Sequence, residues 1–315
     1  MQRFLIRRFF FAILSLVAAS AIVFGLSRAA GDPLLLYAKP GGYGVTPEQI
    51  EALKKKLGLD RPLVMQYVMW LGNMVQGDWG ETLLDERPVT KIIKQRVGAT
   101  VQLGIAAWIL AMLVGIPLGI LSAVKRGTPW DYLARFFALV GQAVPGFWIG
   151  IVGILVFAVE LKLLPSGTRP TDVPIATEIK HFILPAVTLG WFPCAGLLRL
   201  TRSAMLEVLD TEYVKFARSK GVGSMSVIWK HGFANALIPP LTMSATLLAG
   251  FLTGAVITES VFAWPGLGRM TVEAVWRNDF PLLTGGVLVF AAVFVLLNFL
   301  ADVAYAYIDP RIRYT

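Results

Sequence analysis

The feature that most limits how this chain can fold is a recurring series of long apolar runs. Each run has about 18 or more residues and few charges, which suffices for a helix to cross a hydrocarbon core about 30 Å thick. The composition agrees, since 56% hydrophobic residues and a mean hydropathy of +0.66 are too apolar for a water-soluble domain. The sequence therefore predicts an all-α integral membrane protein with six transmembrane helices, near Phe9–Leu26, Gly98–Val124, Leu133–Val159, Phe182–Leu198, Leu237–Thr258 and Thr284–Ile308.

The net charge of +9 is distributed unevenly between the two sides of the predicted membrane. If the N-terminus is cytoplasmic, the inner segments carry fourteen basic and five acidic residues, which accounts for the whole net charge. Such an excess on one side follows the positive-inside rule and argues against nucleic acid as the partner. We expect a multi-pass membrane protein, surrounded by lipid, with both termini in the cytoplasm.

The spacing of the apolar runs divides the chain into three parts. Residues 1–27 form an anchor helix, 28–97 an extracytoplasmic helical segment, and 98–315 a five-helix core with a cytoplasmic loop at 199–236. A cleavable signal peptide is the alternative for the first part, because Arg7 and Arg8 precede the first apolar run. That run exceeds the ~7–15 residues of a signal core, which favours a retained anchor.

The extracytoplasmic segment carries two helix patterns of its own. Thr46-Pro47-Glu48-Gln49 combines a capping residue, a proline suited to the first helical position and a capping-box glutamine, and this helix should end at Gly58. A second helix is expected from Pro62 to Gly77. Its apolar positions recur at helical spacing and require a partner surface, either the membrane domain or the other helix: Leu63, Tyr67, Trp70, Leu71 and Met74.

The cytoplasmic loop at 199–236 predicts a helix-turn-helix at the membrane surface. Gly221 should end the first helix in a left-handed conformation, and Ser224 should cap the second. One apolar stripe is predicted along the first helix, at Leu206, Leu209, Tyr213, Phe216 and Ala217. An amphipathic pair that only rests on lipid headgroups would have the same periodicity.

The residues from Tyr213 to Gly221, followed by His231 and the run Asn235 to Pro239, resemble the EAA loop of permeases from binding-protein-dependent ABC importers. The match is to the peptide and nickel branch of that family, although Lys215 and Phe216 replace the eponymous Glu-Ala. In the family this loop forms the coupling helix that docks on the ATPase subunit. The resemblance assigns coupling to Tyr213, Lys215, Phe216, Ala217, Arg218, Lys220, Gly221, His231 and Asn235.

The resemblance runs nearly from end to end and includes Gly31-Asp32-Pro33, Arg199 to Ser203, Glu259 to Arg269 and Asp309-Pro310-Arg311. It implies the type I ABC importer fold and a location in the bacterial inner membrane. It also implies an assembly with a second homologous permease, two ABC ATPase subunits and an extracytoplasmic solute-binding protein. ATP and Mg would be bound by the ATPase subunits, and this chain would hold no cofactor and no catalytic site. Di- and oligopeptides are the implied substrates, with nickel chelates, glutathione, opines and oligosaccharides as alternatives.

The outer loop from Glu259 to Arg269 contains aromatic, proline and glycine residues that also suit interfacial anchors and turns. In the family this loop faces the pore mouth and the docked binding protein. The resemblance therefore makes Glu259, Trp264 and Arg269 the candidate contact residues.

Two competing functions find little support in the sequence. A membrane enzyme would need a catalytic pattern such as HExxH, CxxC, GxSxG or Walker A, and none occurs. The only histidines, His181 and His231, fall on opposite predicted sides of the membrane, and Cys194 is the single cysteine. A self-sufficient secondary carrier should contain several ionisable groups within its spans, whereas Asp302 stands almost alone and is interpreted as structural.

Overall fold

The computed structural model describes residues 2–29, 51, 54–55, 59–83, 85–168 and 175–308. The described residues form helices and connecting loops, as predicted. In chain order the helices are α1 (Gln2–Ala29), α2 (Leu63–Val75), α3 (Val89–Val124), α4 (Pro129–Ala143), α5 (Gly146–Glu160, π-helical from Ile154), α6 (Ile175–Leu209), α7 (Glu212–Ser219), α8 (Ser224–Ala236, π-helical from Val227 to Phe233), α9 (Ile238–Val261), α10 (Leu267–Trp276) and α11 (Phe280–Ile308).

Four of these helices, α1, α3, α6 and α11, are long and apolar enough to cross a membrane alone. The pairs α4 with α5 and α8 with α9 meet the same criteria together, but they are bent by 104° and 52°. The third predicted span is therefore a broken helix. Its break lies at Val144, whose extended backbone (φ −94°, ψ 127°) is the conformation that the following Pro145 favours.

The centre of the protein is the packing of α3 against α6, and glycines allow these two helices to approach closely. A side chain at Gly115 would place its Cβ 2.7 Å from the Cys194 carbonyl, and one at Gly119 would lie 2.6 Å from Thr201 Cβ. Small residues at such contacts are typical of membrane helix pairs. The surrounding core includes the buried side chains of Leu103, Ala107, Ala111, Cys194 and Leu197.

Helix α1 packs along α11, and the N-terminal part of α1 meets the C-terminal part of α11. Arg8 forms an ion pair with Asp302 at 3.1 Å, and the Phe9 and Phe299 rings meet edge to face at 6.3 Å. The carboxylate of Asp302 thus joins two helices, as the structural interpretation of this residue expected.

The segment at 28–97 is described only in part. The helix predicted from Thr46 to Gly58 lies outside the described residues, except that Glu51, Lys54 and Lys55 are helical. The second predicted helix is α2, whose Tyr67 and Trp70 rings pack against Phe24 of α1. The membrane domain is therefore the partner of this part of the predicted stripe, whereas Leu63 remains exposed.

A short hairpin follows α2 and fastens the segment to the core. Glu81 and Pro88 form an antiparallel bridge, and the amide of Leu83 donates a hydrogen bond to the buried carboxylate of Asp279. The other Asp279 oxygen accepts from the Leu282 amide and so caps the start of α11.

Candidate functional site

The loop between α6 and α9 presents two different faces. The turn at Asp210 and Thr211 separates α6 from α7, so the apolar stripe predicted across Leu209 and Tyr213 is not continuous. Val214 and Ala217 point into the protein, whereas the side chains of Tyr213 and Phe216 are 46% and 60% exposed. The sequence pattern identified the amphipathic helix but grouped Tyr213 and Phe216 in one stripe with Ala217, because it ran through the break.

Gly221 ends α7 in the left-handed conformation that the sequence predicted, with a φ of +79°. The Val222 amide donates to the Ala217 carbonyl and the Gly221 amide donates to the Arg218 carbonyl. These two bonds form a Schellman motif, which requires a residue with positive φ at this position. Ser224 does not cap α8, because it is already the first helical residue and Gly223 precedes it without a capping side chain.

The outer face of α7 and α8 carries large exposed apolar side chains, and exposed basic residues lie close to them in the chain. We call it the loop surface and define it by Tyr213, Phe216, Met225 and Trp229, whose side chains are 46 to 68% exposed. Lys215, Arg218, Lys220 and Lys230 are exposed nearby in the chain. Exposed apolar residues surrounded by polar groups are typical of a protein interaction site.

Local contacts hold several of the predicted coupling residues in place. Lys215 Nζ lies 2.8 Å from the Glu212 carboxylate, and this hydrogen bond raises the pKa of Lys215. Lys220 Nζ lies 4.5 Å from the centroid of the Phe216 ring. The Asn235 side chain donates to the His231 carbonyl at 2.8 Å, and the Tyr213 hydroxyl reaches the same oxygen at 3.4 Å.

A buried ion pair lies where the loop joins the membrane helices. Arg202 of α6 donates two hydrogen bonds to the carboxylate of Asp131, at 2.9 and 3.1 Å. Asp131 is 1% exposed and also accepts from the Ser122 hydroxyl and the Gly127 amide. The ends of α3, α4 and α6 next to this loop are thus joined through one carboxylate.

Sequence reasoning did not assign this ion pair a role. Both residues belong to the charged residues counted for the inner segments, and Arg202 also lies in the matching segment Arg199 to Ser203. The available signal was an acidic residue in the first turn of a helix after a basic, glycine-containing turn, which suits the helix dipole. Nothing in that signal identifies Arg202, 71 residues later, as the partner.

The loop after α9 folds around the side chain of Glu259, which is fully buried. One carboxylate oxygen accepts a hydrogen bond of 2.6 Å from the Thr100 hydroxyl of α3, and the other accepts from the Arg269 amide at 3.0 Å. Thr100 in turn accepts from the Leu267 amide at 2.8 Å. A Cβ atom at Gly266 would overlap the Glu259 carboxylate, so glycine is required beside it.

Two of the three predicted outer contact residues are buried, whereas contact with another protein requires exposed side chains. Glu259 is buried, and Trp264 is 1% exposed, with its indole N–H donating to the Ala99 carbonyl and its ring against Phe182. Neither side chain can contact a docked protein in this conformation, because each holds the loop on α3 or α6. Arg269 is 37% exposed and pairs with Glu273 at 2.7 Å.

Replacing Thr100 with valine is expected to destabilise this loop. The change keeps the side-chain shape but removes a hydroxyl that serves both Glu259 and the Leu267 amide. Leaving such buried groups without a partner costs about 1–3 kcal/mol. The thermal midpoint of the purified protein should therefore fall for Thr100→Val and stay near the wild-type value for Thr100→Ser. An unchanged midpoint in Thr100→Val would contradict the role assigned to this network.

The described residues contain no group of three or more His, Cys, Asp or Glu side chains that could hold a metal ion. His181 Nδ1 lies 3.3 Å from the Gly167 carbonyl, and His231 belongs to α8.

Comparisons with known proteins match the whole chain. A family model described as "Binding-protein-dependent transport system inner membrane component" matches residues 115–314, and the N-terminal model of the same system matches residues 1–104. The chain is 38% identical to the oligopeptide transport system permease protein AppB of Bacillus subtilis strain 168, over 100% of both chains. It is 36% identical to the dipeptide transport system permease protein DppB of Escherichia coli strain K12, over 100% of this chain and 99% of the relative.

Solved structures match the fold at low sequence identity. A chain of the MetNI methionine ABC transporter in inward-facing conformations aligns with a TM-score of 0.55 and 17% identity, over 69% of this chain and 96% of that one. A chain of an amino acid ABC transporter crystallised with histidines aligns with a TM-score of 0.52 and 15% identity, over 68% and 93%.

Proposed function

The chain belongs to the family of binding-protein-dependent transport system inner membrane components, and we propose that it is the permease subunit of an ABC importer for di- and oligopeptides. The observation that carries this proposal is the full-length similarity to two permeases whose names specify oligopeptide and dipeptide transport. Nickel chelates, glutathione, opines and oligosaccharides remain the alternative cargoes within the same class of importer.

The proposed assembly contains this chain, a second homologous permease, two ABC ATPase subunits and an extracytoplasmic solute-binding protein. This chain is a non-catalytic subunit, and ATP and Mg²⁺ are bound by the ATPase subunits. Its N-terminus and C-terminus lie in the cytoplasm, because that orientation puts the excess of basic residues inside. The loop surface then faces the ATPase subunits.

The coupling mechanism follows from the two faces of the loop. An ATPase subunit docks on the loop surface, while the inner side of the loop packs on the cytoplasmic ends of α3 and α6 through Val214, Val227 and Ala236. Movement of the ATPase subunits on ATP binding therefore displaces this end of the α3 and α6 pair. The ion pair between Asp131 and Arg202 makes α4 move with them.

At the opposite end, Arg269 is the candidate residue for contact with the solute-binding protein. Its guanidinium donates to the Ala263 carbonyl at 2.6 Å and so lies at the tip of the loop that Glu259 and Trp264 hold in place. The buried residues position this contact without making it.

Removing the aromatic side chains of the loop surface should weaken docking of the ATPase subunits. Aromatic residues at the centre of an interface often contribute 2 kcal/mol or more, so Phe216→Ala combined with Trp229→Ala should weaken binding by about 30-fold or more. Binding of the purified ATPase subunits to the permease pair in nanodiscs measures this. Trp276→Ala removes an 82% exposed aromatic on α10 and should leave the affinity unchanged. Equal losses in both variants would contradict the docking site.

The class of the assembly is tested by purifying this chain in a mild detergent after expression with its chromosomal neighbours. Recovery of a second permease and ABC ATPase subunits, identified by mass spectrometry and accompanied by ATP hydrolysis, is expected. A chain that purifies alone and transports alone in liposomes would instead be a secondary carrier.

A further inference from the structure

Helix α2 has a composition that does not suit an aqueous surface. Its thirteen residues include no charged side chain. Within the described part of the chain its outward side chains are apolar apart from Asn73, and Leu63, Val64, Val68 and Val75 are 62%, 76%, 57% and 81% exposed. The polar Gln66 is turned inward and is 8% exposed, with its amide donating to the Arg61 carbonyl. An outer face that is mainly apolar, together with a buried amide, is the arrangement expected of a helix surrounded by lipid.

The contact between α2 and α1 lies at the depth of the acyl chains. The Tyr67 hydroxyl hydrogen-bonds the Ser20 hydroxyl at 2.8 Å, and the Phe24, Tyr67 and Trp70 rings pack together. The apolar span of α1 begins at Ile6 and ends at Ala29. At about 1.5 Å per residue, Ser20 lies about 21 Å along this span, inside a hydrocarbon core about 30 Å thick. The contact that Tyr67 of α2 makes with Ser20 therefore lies within the depth of the hydrocarbon core.

A cavity of about 500 Å³ lies between the two helices. Its walls are mainly apolar and include Ala21, Phe24, Leu63, Val64 and Tyr67. Arg28, near the end of α1, also lines this cavity and has its guanidinium carbon 5.1 Å from the centroid of the Phe24 ring. An apolar groove with one cation at the depth of the headgroups has the chemistry of a phospholipid, with acyl chain in the groove and phosphate at the cation.

We propose that the groove between α1 and α2 binds a phospholipid of the leaflet at the C-terminal end of α1. The acyl chain lies against Phe24, Val64 and Tyr67, and the phosphate accepts hydrogen bonds from Arg28. A guanidinium has five N–H donors in a planar fork, so it can bind a phosphate while its face stays on the Phe24 ring. The groove opens on the surface of α1, most of whose apolar side chains are exposed, including Ile22 and Leu26 beside the groove.

The surroundings of α2 can be measured with nitroxide labels on the assembled complex in nanodiscs of phosphatidylethanolamine and phosphatidylglycerol. Labels at Val64→Cys and Val68→Cys should show high accessibility to oxygen and low accessibility to a water-soluble nickel chelate. A label at Asp85→Cys, an exposed charged position in the hairpin, provides the aqueous reference. Access to the nickel chelate at Val68 would overturn the proposal. Low access to both reagents would also overturn it, because another protein segment would then cover the helix.

The phosphate contact can be tested by native mass spectrometry of the delipidated complex. The wild-type complex should retain one phospholipid, and Arg28→Gln should lower its occupancy by about tenfold. Arg87→Gln removes an exposed cation of the hairpin and should leave the occupancy unchanged. Equal retention in Arg28→Gln, or retention of inorganic phosphate alone, would contradict the site. Neither readout depends on transport, so the result is independent of the proposed cargo.

Discussion

Replacing Gly221 with valine is expected to abolish most ATP-driven uptake while leaving the chain inserted in the membrane. The residue has a φ of +79°, a conformation that costs an L-residue about 1–2 kcal/mol and a β-branched residue more. No atom lies within 4 Å of the position a Cβ would take, so the effect is one of backbone strain and not of steric overlap. A strain of this size changes the population of the correct turn by about 5–30-fold. Uptake per ATP hydrolysed by the reconstituted complex measures the loss.

Two further variants separate the backbone effect from a general disturbance of the loop. At Gly223, too, no atom lies within 4 Å of the position a Cβ would take, but the backbone there is extended (φ −59°, ψ 143°). Gly223→Val should therefore keep the wild-type ratio of uptake to ATP hydrolysis. Asparagine tolerates the left-handed conformation, so Gly221→Asn should retain more activity than Gly221→Val. If Gly221→Val transports with the wild-type ratio of uptake to hydrolysis, the loop does not carry the coupling assigned to it.

Replacing Arg202 with glutamine should cause a large loss of stability. The change leaves the Asp131 carboxylate, 1% exposed, with only the Ser122 hydroxyl and the Gly127 amide as partners. Breaking a buried ion pair by removing one member typically costs about 3–5 kcal/mol, since the remaining charge is left uncompensated. An SDS unfolding titration in mixed micelles should show that the free energy of unfolding falls by about this amount. Arg202→Lys keeps the charge but not the two-bond geometry, so its free energy of unfolding should lie between those of the wild type and Arg202→Gln.

An exposed ion pair on the same side of the membrane serves as the control. Arg126 and Asp210 are 3.8 Å apart, and their side chains are 65% and 74% exposed. Such pairs contribute about 0–1 kcal/mol, so Arg126→Gln should be close to neutral. Similar losses in Arg202→Gln and Arg126→Gln would show that burial of Asp131 has little energetic weight.

The sequence predicted the helical membrane architecture because apolar length is set by the thickness of the bilayer, and the four unbroken candidate spans coincide with predicted ones. The break within the third span was not predicted. A proline such as Pro145 bends a helix, but the direction and size of the bend depend on what the two halves pack against. The division at 1–27, 28–97 and 98–315 stays a prediction, since the first part of the middle segment lies largely outside the described residues.

The outcome for site residues depended on the range of the interactions involved. The left-handed conformation of Gly221 was predicted correctly because a helix end is specified by a few neighbouring residues. The burial of Glu259 was not predicted, because its partner Thr100 comes from a helix 159 residues earlier in the chain. The same holds for Arg202 and Asp131. Periodicity within one segment carries no information about such pairs, and only the packing of α3, α4, α6 and α9 brings them together.

The most direct test of peptide import by this chain is uptake of a radiolabelled dipeptide and tripeptide into proteoliposomes. The vesicles contain the complete complex, with ATP on the side of the ATPase subunits and the solute-binding protein on the other. Uptake that requires ATP, the binding protein and this chain, and that fails with Gly221→Val in its place, is the predicted result. ATP hydrolysis without uptake of either peptide, together with uptake of a nickel chelate or an oligosaccharide, would contradict the peptide assignment.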